Sequence, residues 1–221
     1  MGNEVGGRGD GALVVGFDLD MTLVDSAAGI AATVAAALAD FGHVTTPEQV
    51  WALNGVPLEP TMTALAPGID AVAAAQRYRE LYPHLGVPAT RLLPGAAEAL
   101  AAVERAGGTT VIVSTKVERA VRLVIEAVGL RVDAVAGGLF AEAKGGYLRE
   151  VGAQVYVGDH PGDVLAARAA GATSVAVATG PHPASVLAAA GADVVLADLL
   201  AFPAWLAGRD ETRPTTEGMA R

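Results

Sequence analysis

The chain has 221 residues, a formal net charge of -9, 52% hydrophobic and only 5% aromatic side chains, and no cysteine. The missing cysteine excludes disulfides, thiolate metal sites and thiol nucleophiles, and an acidic balance without a basic stripe argues against nucleic acid or an anionic membrane as the main partner. An alanine-rich, aliphatic chain of this length predicts one α/β core of closely packed helices and strands, with a smaller accessory unit.

Residues 1–11 are glycine-rich and polar, with none of the apolar core of a signal peptide, and read as a flexible start on a cytoplasmic, soluble protein. The tripeptide Arg8-Gly9-Asp10 matches the integrin-binding sequence, but three residues in such a segment carry no weight. Leu13 to Phe17 is a short apolar run followed by polar residues, the pattern of a buried strand that ends in a loop.

From 27 to 93 the chain shows helical patterns, loops with Pro47, Pro57 and Pro60, and no clear strand. This interval reads as a helical insertion with linkers near Ser26 and Pro94, placed to act as a lid over the carboxyl edge of a sheet. The core then comprises 12–26 and 94–207. Within it, strand-like runs at Thr109 to Val113, Val132 to Ala136, Gln154 to Val157, Ser174 to Ala178 and Asp193 to Leu196 alternate with helical ones. These helices fall at Ala96 to Ala106, Glu118 to Val128, Asp163 to Ala170 and Ala184 to Ala190, closed by Gly107, Gly129, Gly171 and Gly191. The alternation predicts a doubly wound, mostly parallel, Rossmann-like sheet. The longest uncharged stretch, Ala169 to Ala192, is broken by Gly171, Gly180, Pro181 and Pro183 and cannot span a bilayer. Residues 208–221 are polar without periodicity and read as a flexible tail.

Asp18-Leu19-Asp20-Met21-Thr22 places two carboxylates directly after the first strand. Alone, such aspartates are as often turn formers or helix caps. Three further features follow later predicted strands: Ser114-Thr115 after Val113, Lys144 at the opening of a helix, and Gly158-Asp159-His160-Pro161-Gly162-Asp163 after Val157. In this order the motifs resemble the haloacid dehalogenase superfamily, as DLDMT, VST, a lysine and GDHPGD. Asn54 to Glu59 and Pro94-Gly95-Ala96 look like segments of its phosphoglycolate phosphatase-like members.

The resemblance implies a role for each motif. Asp18 is the expected nucleophile, forming an aspartyl-phosphate that water hydrolyses, and Asp20 the general acid and base. Asp20 is expected to lie among other acids that help it hold a proton. Asp159 and Asp163, with Asp18 and the main-chain carbonyl of Asp20, are expected to hold Mg2+ in an oxygen-rich, partly hydrated site; Asp163 can cap the following helix as well. Thr22, Ser114 and Thr115 are the expected substrate-binding hydroxyls, with Ser114 preferred over Thr115 at the phosphoryl group. Lys144 is expected to neutralise Asp18 and phosphate together, with Lys116 as its possible substitute.

Two positions depart from the family pattern. Gly145-Gly146 follows Lys144 where many members carry a proline-containing segment, and Met21 stands where many carry glycine. His160 either contacts substrate or shapes the turn before Pro161. Arg77, Tyr78, Arg79 and His84 either meet a distal substrate group or form a solvated helix face, and Trp51 and Trp205 read as packing residues.

The expected activity is magnesium-dependent hydrolysis of a small phosphorylated metabolite by a monomer or homodimer, with phosphoglycolate, a sugar phosphate and pyrophosphate all open. The alternatives are a phosphomutase of the same superfamily and a non-catalytic protein that binds a phosphorylated ligand. Attack on carbon, as in a true dehalogenase, is disfavoured because it needs neither Asp20 nor a metal site.

Overall fold

The computed structural model describes residues 12–211. The expected flexible start, with Arg8-Gly9-Asp10, and residues 212–221 of the expected tail lie outside them.

The first strand, β1 (Val14–Phe17), is buried over most of its length and delivers Asp18 at its carboxyl end. The chain then forms β2 (Val24–Asp25) and four helices, α1 (Ala27–Ala39), α2 (Pro47–Trp51), α3 (Leu58–Leu65) and α4 (Ala71–Ala89), before returning through β3 (Arg91–Leu92). β2 and β3 pair antiparallel, Val24 opposite Leu92 and Asp25 opposite Arg91. Neither was legible as a strand, because two residues cannot display an alternation. α1 and α4 cross with almost nothing between them, since a Cβ on Gly29 would stand 2.5 Å from the Gly86 carbonyl oxygen.

The rest alternates as the sequence predicts through α5 (Ala96–Arg105), β4 (Thr109–Val113), α6 (Glu118–Ala127), β5 (Ala134–Ala136), α7 (Glu142–Glu150), β6 (Val155–Gly158), α8 (Pro161–Ala170), β7 (Thr173–Val177), α9 (Ala184–Ala189) and β8 (Val194–Leu196), and ends in a helix the sequence reading did not include, α10 (Phe202–Glu211). α10 continues through Gly208 to Glu211, into the segment read as lacking periodicity. Gly107, Gly129, Gly171 and Gly191 all adopt positive φ just past their helices, the left-handed conformation that ends a helix at little cost.

Six strands form one parallel sheet in the order β5-β4-β1-β6-β7-β8. Successive connections leave β1 in opposite directions, so the crevice beyond its carboxyl end is the topological switch point where open α/β sheets bind ligands. Val15, Phe17, Ile112, Val155, Val157 and Val175 belong to one fully buried apolar cluster. No helix among the described residues is long and apolar enough to cross a membrane.

Candidate active site

Three neighbouring strands converge on the switch point. β1 ends at Asp18, whose N–H donates to the Val157 carbonyl at 2.8 Å and so ties the loop to β6. β4 ends at Ser114, and β6 runs into Asp159. The two short residues Gly16 and Gly145 bring in the fourth group. Gly16 leaves room above β1 for Leu148 and Tyr156, to which a Cβ would stand 2.6 and 2.9 Å away, and Gly145 lets α7 close on α8, where a Cβ would lie 2.8 Å from that of Ala169. α7 therefore sits low enough on the sheet for Lys144, near its start, to point inward. This explains the first glycine after the lysine: Gly145 faces α8, where a side chain does not fit, whereas Gly146 is exposed with open space beside it.

Lys144 is 3% exposed, with its Nζ 3.0 Å from Asp18 Oδ1 and 2.7 Å from Asp163 Oδ1. Asp163 also accepts from the Tyr156 hydroxyl at 3.2 Å and, through Oδ2, from the His160 N–H at 3.2 Å. The last bond is half of a capping box on α8; the other half is Gly162 N–H donating to His160 Nδ1 at 2.9 Å. Asp163 thus caps its helix and joins the cluster at once, while His160 shapes the turn.

Asp159 is fixed from two sides, by the Thr22 hydroxyl at 3.1 Å and by Gly180, where a Cβ would overlap its carboxylate. Thr22, expected to meet substrate, is fully buried, and its hydroxyl donates to Asp159.

That turn has a cost. Met21 adopts φ 60°, the left-handed region a side chain disfavours, and is held there by its N–H to Val24 O at 2.8 Å and by the Thr179 hydroxyl on its carbonyl at 2.5 Å. A glycine at this position would adopt the same φ freely.

Asp18, Asp159 and Asp163 each offer an oxygen within 4.8 Å of the others, close enough to share a cation, and all three are buried. Three carboxylates against one ammonium leave an excess of negative charge in a low-dielectric site. Burial, opposed by Lys144 and reinforced by Asp163 and Asp20, pushes the Asp18 carboxyl up to about 7. Burial, with Asp18 and Asp163 beside it, also drives Asp159 well above the usual carboxylate range. Lys144 pays for its own burial but is held well above an ordinary lysine by Asp163 and Asp18. A buried acidic cluster that is short of positive charge and carries only oxygen donors suits a hard divalent cation.

Asp20 faces the other way. Ser26 Oγ donates to its Oδ1 at 2.6 Å, and Lys116 Nζ lies 3.1 Å from its Oδ2. Asp20 lies near enough to Asp18 to raise its carboxyl, as expected of one acid beside another, but its direct partners are a cation and a hydroxyl. Lys116 is therefore not a substitute for Lys144 at Asp18; it partners Asp20, with its Nζ 4.3 Å from the centre of the Tyr82 ring on α4. Ser114 and Thr115 line the same cleft, and Ser114 Oγ accepts from the Lys116 N–H at 3.2 Å, which leaves its own hydrogen free to donate. Sequence reasoning missed Ser26, Tyr156 and Gly180. Only Ser26, six residues past Asp20, carried a usable signal, as the last polar side chain before α1.

Of the insertion's charged residues, Arg77 is engaged on the surface with Asp40 at 2.6 Å and Glu80 at 3.2 Å. Arg79 lines the cleft, paired with Glu59 at 2.5 Å.

The description haloacid dehalogenase-like hydrolase fits residues 15–138, and a second HAD-hydrolase-like description fits 136–202. The phosphoglycolate phosphatase of Haemophilus influenzae strain 86-028NP is 28% identical, over 73% of this chain and 84% of that protein. Among solved structures, a predicted phosphatase from Clostridium acetobutylicum superposes with a TM-score of 0.79 at 22% identity, covering 89% of this chain and 99% of the other. A predicted phosphoglycolate phosphatase from Haemophilus somnus 129pt gives 0.76 at 23% identity, covering 88% and 98%.

Proposed function

The chain belongs to the haloacid dehalogenase-like hydrolases, and from that premise we propose that it is a magnesium-dependent phosphatase of small phosphorylated metabolites that works through an aspartyl-phosphate on Asp18. The convergence of Asp18, Asp159, Asp163 and Lys144 at the carboxyl ends of neighbouring strands, with Asp20 on the cleft side, carries this reading. The similarity to a phosphoglycolate phosphatase supports a phosphomonoester as substrate.

In this reading Asp18, Asp159 and the carbonyl of Asp20 hold Mg2+, with Asp163 bound directly or through water. When bound, the ion offsets the excess carboxylate charge and draws negative charge from the phosphoryl oxygens. Asp18 attacks phosphorus as the ester P–O bond breaks, Asp20 gives its proton to the leaving oxygen, and Asp20 then takes a proton from the water that cleaves the acyl phosphate. Ser114 and Thr115 orient the phosphoryl oxygens and Lys144 offsets their charge. Residues 12–26 and 94–207 form the catalytic core, and 27–93 form a helical cap that closes over it to limit water.

Inorganic phosphate release from a panel of phosphomonoesters tests the proposal. Chelation should stop release, magnesium should restore it, and Asp159→Ala should raise the magnesium concentration needed for half-maximal rate by at least tenfold. Full activity in excess chelator would overturn the reading.

A further inference from the structure

Beyond the acidic floor, the cleft has a volume of about 900 Å³, near the upper end of the ~300–1,000 Å³ that encloses a drug-sized ligand. Its walls are mainly aliphatic and aromatic. Val34 of α1, Val50 of α2 and Leu53 contribute from the insertion, and Ala120 and Leu123 of α6 with Phe140 from the sheet side. Phe140 is 38% exposed, although a phenylalanine gains by being covered.

The charges in the cleft point the same way. Arg79 is matched by Glu59 at 2.5 Å and Lys116 by Asp20 at 3.1 Å. Of the lysines and arginines lining the cleft, Arg119 alone has no carboxylate partner among the described residues, and it is exposed at the start of α6. A substrate with a second anion two carbons from its phosphate finds no unmatched cation in the interior, and it leaves the apolar walls wet. Burying an apolar body displaces that water and, away from the exposed Arg119, meets only wall lysines and arginines that are already paired.

We infer that the preferred substrate is a phosphomonoester whose alcohol part is neutral, apolar and well beyond two carbons. The inference rests on the phosphatase reading for its chemistry, but the selection it describes is a property of the cleft walls. A short anionic ester such as phosphoglycolate is then a poor substrate.

The test uses straight-chain alkyl phosphates from ethyl to hexyl, whose leaving alcohols are nearly equal in acidity, so chain length reports on the walls alone. With magnesium, kcat/KM should rise about fourfold per added methylene, as expected when each is buried. A terminal carboxylate on the six-carbon chain should lower kcat/KM at least tenfold, and Leu123→Ser should flatten the chain-length slope. In parallel, the same esters are titrated calorimetrically into the wild-type chain in chelator, where affinity should follow the same slope. No phosphate release from any ester, together with affinity that rises with chain length, would remove the phosphatase reading and leave the substrate preference standing. Affinity and kcat/KM that are flat or falling with length, or a carboxylated or two-carbon acid ester that matches hexyl phosphate, would overturn the inference.

Discussion

Asp18 stands where buried charge, metal affinity and nucleophilicity meet, so the smallest change there has the largest expected effect. Asp18→Asn keeps the shape but supplies neither a nucleophilic carboxylate nor an anionic ligand, and turnover should fall more than a thousandfold with the circular-dichroism spectrum unchanged. A loss within about tenfold, ~1.4 kcal/mol, would be too small for removal of a covalent nucleophile. The same carboxyl makes stability depend on pH. Its value is 3.8 in an ordinary setting and about 7 in the fold, so between these pH values the unfolded chain releases a proton that the folded chain keeps. Stability contributed by the protonated group is therefore lost as pH rises through this window. In chelator, the melting temperature of the wild type should fall more from pH 4 to 7 than that of Asp18→Asn; equal falls would count against this burial penalty. Asp18, Ser114 and Asp159 were legible because each ends an apolar run, which fixes position and direction together. Lys116 and Thr22 were not. Lys116 sits three residues past the end of β4 and Thr22 five past that of β1, where the turn of the loop decides whether a side chain meets substrate, Asp20 or Asp159.

Helices and strands were legible wherever their period had room to repeat. The core strands fall within a residue or two of the apolar runs, and α8 begins at Pro161, two residues before its apolar pattern, because His160 and Asp163 supply the cap. The β2–β3 ribbon and the tight crossing of α1 on α4 left no such trace, since one is too short and the other depends on which glycines happen to face each other. That crossing is open to a direct test. A side chain at Gly29 must push α1 away from the Gly86 carbonyl, so Gly29→Val should cost about 1–3 kcal/mol, read as a lower urea midpoint. An unchanged midpoint would mean that the two helices separate freely.

The whole molecule carries a net charge of -9 and, in the proposed function, binds a dianion. Long-range repulsion should slow encounter at low ionic strength, where the Debye length is ~30 Å at 0.01 M, and relax at 0.15 M, where it is ~8 Å. At saturating magnesium, kcat/KM for a phosphomonoester should therefore rise with added potassium chloride across that range; a steep fall would show that local positive potential at the cleft outweighs the global charge. The topology also bears on how such a molecule changes over generations. The chain leaves the sheet domain at Val24–Asp25 and returns at Arg91–Leu92, and these positions are hydrogen-bonded neighbours, about 4.7–4.9 Å apart. An excursion that starts and finishes at one point imposes no length on what lies between. A lineage can enlarge, trim or trade that excursion for an unrelated bundle while the order of the six strands stays the same, so under the proposed division of cap and core selectivity is free to drift at a pace the chemistry beneath it does not share.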